Sequence, residues 1–205
     1  MRPHLFLLVQ AKLWGDYGDV LISGYASRDK ESGIIGLHRA GPFSPPIFFP
    51  YGALSGASLI VTQAFRVKLE CSEIPRLEFR PVIKKRIVEF HWESWDRNAE
   101  DPGEYPETGE PEDYIWEGQH SVSAAANMPE MWEVLPPVIP CEIESEDSDR
   151  LAVPPKYWFT PQAGPYRGLF RSQERFPRFI VDANTRQWFE EHAPEWVRFE
   201  PLSLK

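Results

Sequence analysis

The sequence lacks the residues that build disulfide frameworks and metal sites. Its 205 residues include only two cysteines, Cys71 and Cys141, and five histidines. Two thiols are too few for a disulfide framework or a thiolate metal site. No two histidines have the spacing that gathers metal ligands on one face of a helix. We therefore predict free thiols, no bound metal and no cofactor.

Long apolar runs and an excess of positive charge are also missing. No run approaches the ~18 apolar residues of a membrane-spanning helix. The run at residues 5–9 is shorter than the ~7–15 residues of a signal-peptide core, so we predict that it forms a first β-strand. The net charge is −9, from 22 basic and 31 acidic residues. These features favour a cytoplasmic protein that binds neither membranes nor nucleic acid.

The motifs of common catalytic sites are absent as well. The chain has no G-x-S-x-G elbow, no phosphate-binding loop and no G-x-G-x-x-G fingerprint. Cys141 precedes Glu142, and a neighbouring carboxylate makes a thiol a poorer nucleophile. We predict that the protein is not an enzyme. The alternative is a hydrolase with a site between the two halves of the chain, built from His91 or His120 with carboxylates.

What the sequence does contain is aromatic and strand-forming. It has 8 Trp, 13 Phe and 7 Tyr, and each such side chain buries on the order of 150–250 Å² in a core. Turn residues separate apolar runs that have the length of strands. The first of these runs lie at residues 5–9, 20–23, 34–37 and 47–49. The pattern predicts an α+β fold that is rich in strands.

Two helices are predicted from their caps. Thr62 and Asp182 each follow an apolar run and belong to the residue types that cap helix N-termini, which predicts helices at 63–73 and Ala183–His192. Strand-like segments follow at 77–90 and 197–202, and Pro81 places part of the first at a sheet edge or a bulge.

These two segments resemble each other. Shifting the sequence by 120 positions superimposes residues 59–82 on 179–202 without a gap, with six identical positions out of 24. Arg66 and Glu70 then align with Arg186 and Glu190, and each pair has the i,i+4 spacing of a helix-surface ion pair. The sequence predicts two repeated strand–helix–strand units around a shared core, although chance similarity of two amphipathic segments is the alternative.

An acidic segment connects the two units. Residues 96–149 contain 16 acidic residues and one basic residue, whereas the rest of the chain contains 15 and 21. A short helix is expected at 124–134. The segment is either a solvated loop or a recognition surface for a basic partner. Trp95, Trp116 and Trp132 favour recognition, although they could also pin the segment to the core.

We predict a single domain over residues 1–205 that is organised in three sections. An N-terminal half spans 1–95 and a C-terminal half spans 150–205. The acidic connection at 96–149, rich in proline, glutamate and tryptophan, lies between them.

The end of the chain resembles a family of bacterial immunity proteins. Residues 168–171, 179–182 and 197–202 are similar to the ending of proteins from polymorphic-toxin systems, a group that includes the double-CxxCG-motif immunity proteins. Residues 59–82 resemble an internal segment of the same proteins. This sequence contains no CxxC motif, so the resemblance is to metal-free relatives. It implies a cytoplasmic protein that binds a cognate toxin and blocks it without catalysis.

The resemblance and the acidic segment together predict a toxin inhibitor that occludes the active surface of a basic toxin domain. A structural or adaptor protein of a larger assembly is the second possibility, and the oligomeric state is not predicted. The expected partner-binding residues are the acidic and aromatic side chains at the start of the acidic segment. They are Trp95, Asp96, Glu100, Asp101, Glu104, Tyr105, Glu107, Glu110, Glu112, Asp113, Tyr114 and Trp116.

Overall fold

The computed structural model describes residues 4–11, 20–52, 58–94, 96, 112–146, 156–162, 164–174 and 177–205. The described residues form two curled β-sheets of seven and six strands with few helices. The strand-rich α+β class predicted from the sequence is therefore confirmed.

The strands and helices are numbered in chain order. The strands are β1 (Leu5–Gln10), β2 (Tyr25–Arg28), β3 (Ile35–Gly41), β4 (Ile47–Phe48), β5 (Ile60–Thr62), β6 (Glu78–Glu89), β7 (Met131–Leu135), β8 (Val138–Ile139), β9 (Cys141–Glu146), β10 (Lys156–Pro161), β11 (Leu169–Ser172), β12 (Phe179–Asp182) and β13 (Val197–Leu204). The helices are α1 (Gln63–Glu70), α2 (Asp113–Trp116), α3 (Val122–Asn127) and α4 (Ala183–His192).

Both sheets mix antiparallel and parallel pairs. The strand order is β8-β11-β12-β1-β13-β10-β9 in the larger sheet and β2-β3-β6-β7-β5-β4 in the smaller one. The parallel pairs are β3 with β6, β10 with β13, and β8 with β11. All other neighbours are antiparallel.

Each sheet takes one central strand from the other half of the chain. β1 pairs with β12 and β13, which end the chain. β7 pairs with β5 and β6, which precede it by at least 40 residues. Neither sheet is therefore complete without strands from both the first and the second half of the sequence.

The helices α1 and α4 begin at the predicted caps. The Thr62 hydroxyl accepts a hydrogen bond from the Phe65 N–H, and the Asp182 carboxylate accepts one from the Thr185 N–H at 2.8 Å. These bonds satisfy N–H groups that a helix start leaves without a partner. Phe65 and Phe189, on the buried faces of the two helices, stack with ring centroids 6.3 Å apart.

The largest apolar core joins the two sheets. It contains buried side chains from strands of both sheets and from both helices, namely Leu8, Ile47, Leu59, Val61, Phe65, Leu69, Val134, Leu169, Phe179, Val181, Phe189, Ala193 and Val197. The apolar contacts of this cluster bind the sheets to each other, since each fully buried large apolar side chain contributes about 1.5–3 kcal/mol relative to exposure.

Pro81 lies at the point where β6 stops pairing with β7 and begins to pair with β3. Residues 78–81 of β6 pair with β7, and residues 82–89 pair with β3. A proline has no N–H to donate to a ladder, so it fits where a strand has a neighbour on only one side. The predicted edge-like environment is thus present locally, although β6 is an interior strand of the six-stranded order.

Two local predictions were wrong. Residues 20–23 are helical rather than a strand, because a four-residue apolar run fits either structure when both faces are buried. The helix expected at 124–134 is shorter, since α3 ends at Asn127 and Met131–Leu135 is strand β7. Pro129 separates the two elements, and a proline ends a helix at the residue before it.

Among the described residues, we find no helix with the length and apolar character needed to cross a membrane.

Candidate functional site

The structure describes five of the twelve predicted partner-binding residues. Glu112, Asp113, Tyr114 and Trp116 lie together in and beside α2, and Asp96 is exposed. The other seven lie outside the described residues, namely Trp95, Glu100, Asp101, Glu104, Tyr105, Glu107 and Glu110. The site can therefore be built only around α2.

α2 is fixed to the body of the protein by apolar and polar contacts. Ile115 is fully buried, and the Tyr114 ring lies against Phe90 with centroids 4.3 Å apart. The Arg86 guanidinium donates a hydrogen bond to the Trp116 carbonyl. Of the aromatic residues in this stretch, Tyr114 thus serves to hold α2 in place.

Trp116, by contrast, joins an exposed group of rings. Its centroid lies 5.1 Å from the rings of both Tyr25 on β2 and His38 on β3. Tyr51 lies 6.1 Å from Tyr25. Trp116 is 44% exposed and Tyr51 is 38% exposed. We call Tyr25, His38, Tyr51 and Trp116 the aromatic cluster.

The aromatic cluster opens into a cavity. The cavity has a volume of about 640 Å³ and is lined by Tyr25, His38 and Trp116 at one end and by Arg28 to Lys30 at the other. This volume is within the range of ~300–1,000 Å³ that is typical of small-molecule sites. The mixture of apolar rings and charged groups suits either a ligand or a side chain of a partner protein.

The charges around the cluster act on its titratable rings. Burial, and then the positive charges of Lys85 and Arg86, lower the pKa of His38, which favours its neutral form near pH 7. Burial and the negative charge of Glu112 raise the pKa of Tyr25. The positive charges of Lys85 and Arg86 thus act on His38, and the negative charge of Glu112 acts on the Tyr25 hydroxyl.

An ion pair between the part-buried Arg28 and the buried Glu133 lies beside the cavity. The Arg28 guanidinium donates to both Glu133 carboxylate oxygens, at 2.5 and 3.0 Å, and also to the Ser58 hydroxyl and the Gly33 carbonyl. The side chain of Glu133 is only 1% exposed. Because Arg28 is held by these four bonds, its role at the cavity is to keep β2 in position.

Gly52 allows the chain to pass close to β2. The Tyr51 N–H donates to the Gly24 carbonyl at 2.8 Å, and the Ala26 N–H donates to the Tyr51 carbonyl. Gly52 has a φ of +146°, and a Cβ at this position would lie 2.3 Å from the Ala26 carbonyl oxygen. Any side chain there would push Tyr51 away from Tyr25.

We expect the substitution Gly52→Ala to lower the free energy of unfolding by about 2 kcal/mol or more, because it adds backbone strain to a steric clash. Urea denaturation of the intact chain measures the effect. Ser27→Ala, on the same strand, is the matched control and should change stability by less than about 0.5 kcal/mol. Equal stability of Gly52→Ala and the unaltered chain would contradict this account of the Tyr51 segment.

The histidines considered for catalysis form local hydrogen bonds. The His91 Nδ1 lies 2.9 Å from a Glu93 carboxylate oxygen on the exposed surface, and this hydrogen bond raises the pKa of His91. The His120 Nδ1 accepts a hydrogen bond from the Ile87 N–H. The described residues include no group of three or more His, Cys, Asp or Glu side chains that could hold a metal ion.

The two thiols also differ in their surroundings. Cys71 is free and exposed, and Cys141 is free and buried. Burial, followed by the charge of Glu174, raises the pKa of Cys141 to about 11. A thiol in this state is a poor nucleophile at neutral pH.

Sequence reasoning identified Trp116 but not the rings around it. Tyr25, His38 and Tyr51 come from three different segments, which only the β2–β3 pairing and the turn at Gly52 bring together. The available signal was Gly52 beside Tyr51, which marks a close backbone approach. Neither a protein-family model nor a curated protein nor a solved structure matches this chain, so its function is inferred from the geometry described above.

Proposed function

We propose that this chain is an immunity-type protein that binds a cognate bacterial toxin and occludes its active surface. The observation that carries the proposal is the position of Trp116. This residue belongs to the acidic segment, yet it is held half-exposed between Tyr25 and His38 rather than buried in the core.

Exposed aromatic side chains on a fixed backbone are the usual energetic centres of protein interfaces. Tryptophan and tyrosine are enriched among the residues whose loss costs most in binding. A hydrogen bond from Arg86 and the burial of Ile115 fix α2 before any partner arrives. Little conformational entropy is then lost at Trp116 on binding.

The acidic residues around α2 suit a basic partner. Carboxylates on a surface accelerate the approach of a positively charged protein, and the effect weakens as salt rises. Glu112, Asp113 and Glu117 lie within one turn of Trp116. The proposed interface therefore combines long-range attraction with a central aromatic anchor.

The test begins with capture of the partner from a lysate of the source organism at low and high salt. The captured protein is then purified and titrated against variants. Reversing Glu104, Glu107, Glu110 and Glu112 to lysine should weaken binding about tenfold at low salt and flatten its salt dependence. Trp116→Ala should weaken binding about tenfold at both salt concentrations, because its contribution is apolar.

The matched control reverses four exposed glutamates elsewhere, which gives the same change in net charge. Glu73, Glu78, Glu191 and Glu195 serve for this. If the control weakens binding as much as the reversal of Glu104, Glu107, Glu110 and Glu112, only net charge matters and the acidic segment is not the interface. If the purified partner shows no loss of toxic activity when bound, the inhibitor function is wrong.

We also propose that residues 59–82 and 179–202 are two copies of one unit. In each copy, an arginine on the helix lies over an aromatic ring and also forms an ion pair with a glutamate. The Arg66 guanidinium lies 3.8 Å from the Trp132 ring centroid, and the Arg186 guanidinium lies 4.5 Å from that of Phe6. Each arginine also forms an ion pair of 2.8 Å one helical turn further on, Arg66 with Glu70 and Arg186 with Glu190.

Strand register supports the same correspondence. Pro81 in β6 lies opposite Trp132, and Pro201 in β13 lies opposite Phe6. Both prolines lie where their strand changes neighbours, from β7 to β3 in one case and from β1 to β10 in the other. Trp132 and Phe6 thus take equivalent places, although they lie outside the segments aligned in the sequence.

The correspondence extends to six strands. The order β2-β3-β6-β7-β5-β4 matches β9-β10-β13-β1-β12-β11, with the parallel pair at the same place in both. In this scheme one copy is β1 to β6 and the other is β7 to β13, and the two copies have exchanged their first strands. The proposed repeat is then an intertwined pair rather than two neighbouring units.

A further inference from the structure

The outer face of β2, β3 and β6 carries a continuous groove. The cavity of about 640 Å³ beside the aromatic cluster and a second one of about 560 Å³ share the lining residues 27–30. The second cavity extends over Gly36 to Ile83 and Lys85. Gly36 has no side chain to fill the floor, and Ile83 is 57% exposed.

One end of this groove is aromatic. Its wall is formed by Trp116, Tyr25 and His38, and Trp116 remains 44% exposed despite its contacts with the other two rings. Stacking on such rings favours planar aromatic ligands of many kinds, since every such ligand has a π-face. Burial, followed by the charges of Lys85 and Arg86, lowers the pKa of His38, which favours its neutral form, and its ring adds a further flat surface.

The rest of the groove is lined by both basic and acidic side chains, namely Lys30 and Lys85 with Asp29 and Glu31. Lys30 and Lys85 line it, and Arg86 lies beside His38 close enough to affect its titration. None of these three side chains forms an ion pair with a described residue. The Asp29 carboxylate accepts hydrogen bonds from the Ser32 N–H and hydroxyl, both at 2.8 Å, and these bonds, followed by the charge of Lys85, lower its pKa.

We propose that this groove binds a small molecule with a planar aromatic ring and an anionic group, as in a nucleoside monophosphate. The ring stacks on Trp116 and Tyr25, and the anionic group lies between Lys30 and Lys85. An aromatic carboxylate has the same two features and is the other source of this chemistry. This site shares Trp116 with the proposed toxin interface, whereas Lys30 and Lys85 lie outside the acidic segment and belong to the ligand site alone.

The test titrates the intact chain with adenosine 5′-monophosphate by isothermal calorimetry. Adenosine lacks the anion and ribose 5-phosphate lacks the ring, so each should bind about tenfold more weakly or worse. Indole-3-acetate is the aromatic carboxylate. If it binds more tightly than the nucleotide, the natural ligand is of that class and the shared chemistry is supported.

Variants locate the binding. Trp116→Ala and Lys85→Glu should each weaken nucleotide binding about fivefold or more, because they remove the stacking face and reverse a groove charge. Lys68→Glu, on the exposed surface of α1, is the matched charge control and should leave it unchanged. NMR titration of His38 gives a second readout, since a bound anion should raise its pKa.

Absence of binding by both the nucleotide and indole-3-acetate at millimolar concentration would overturn the proposal. Binding that neither Trp116→Ala nor Lys85→Glu weakens would also overturn it, because the site would then lie elsewhere. Lys85→Glu should retain the toxin partner, so failure of the ligand proposal and failure of the immunity proposal are distinguishable.

Discussion

A chain cut once between residues 104 and 105 is expected to yield two fragments that fold only together. The first fragment contains β5 and β6 but not β7, which lies between them. The second contains β12 and β13 but not β1, which lies between those two. Each fragment alone therefore lacks the central strand that completes its sheet.

Separating the two fragments is expected to destabilise both of them strongly. Without β1, the second fragment exposes unpaired edges of β12 and β13. In the first fragment, the side chains of Leu5, Leu7 and Leu8 lose the sheet against which they are buried. Unpaired strand edges with apolar faces favour aggregation rather than folding. We expect each isolated fragment to lack a cooperative unfolding transition, and the equimolar mixture to regain one.

A specific protease site inserted between residues 104 and 105 provides the control. The uncut chain should unfold in urea like the unaltered protein, and the cut chain should still elute as one species in size-exclusion chromatography without denaturant. If either fragment folds cooperatively by itself, the halves are not intertwined and the proposed exchange of first strands is wrong.

The second large effect is expected from Arg28→Ala. This substitution leaves the Glu133 carboxylate buried, with 1% of its side chain exposed, and without its bidentate partner. Breaking a buried ion pair on one side lowers the free energy of unfolding by about 3–5 kcal/mol. Urea denaturation measures the loss.

Two further variants serve as controls for this prediction. Lys205→Ala removes one partner of an exposed ion pair with Glu144 and should cost less than about 1 kcal/mol. The double variant Arg28→Met with Glu133→Leu should be more stable than Arg28→Ala, because no buried charge remains. The proposed repeat supports the choice of leucine at position 133. In the larger sheet Leu7 lies opposite Ile180, and this is the position that corresponds to Glu133 opposite Ile60. Full stability of Arg28→Ala would contradict this view of the pair.

Local signals in the sequence predicted the elements that depend on local physics. The caps Thr62 and Asp182 defined the starts of α1 and α4 within one residue. The apolar runs at 34–37 and 47–49 lie in or beside strands β3 and β4. Capping and alternation act over a few residues, so one sequence is enough to recognise them.

Pairing between distant strands left no comparable signal. Nothing in residues 5–9 indicates that they lie between β12 and β13, about 170 residues later. The same limit applies to the aromatic cluster. Trp116 was recognised because it interrupts an acidic segment, whereas Tyr25 and His38 gain their role only through the β2–β3 register.

The burial of Arg39 could not be predicted from the sequence either, since a charged residue is rarely fully buried.

The placement of β1 has a consequence for synthesis on the ribosome. β1 is translated well before both of its neighbours, β12 and β13. At ~5–20 residues per second, roughly 10–30 s separate the appearance of the strand from that of its partners. An apolar segment of sequence LFLLV must stay unpaired in the nascent chain for that time. The larger sheet is thus expected to close only after β13 has been synthesised, although β1 is the earliest of its seven strands to be made.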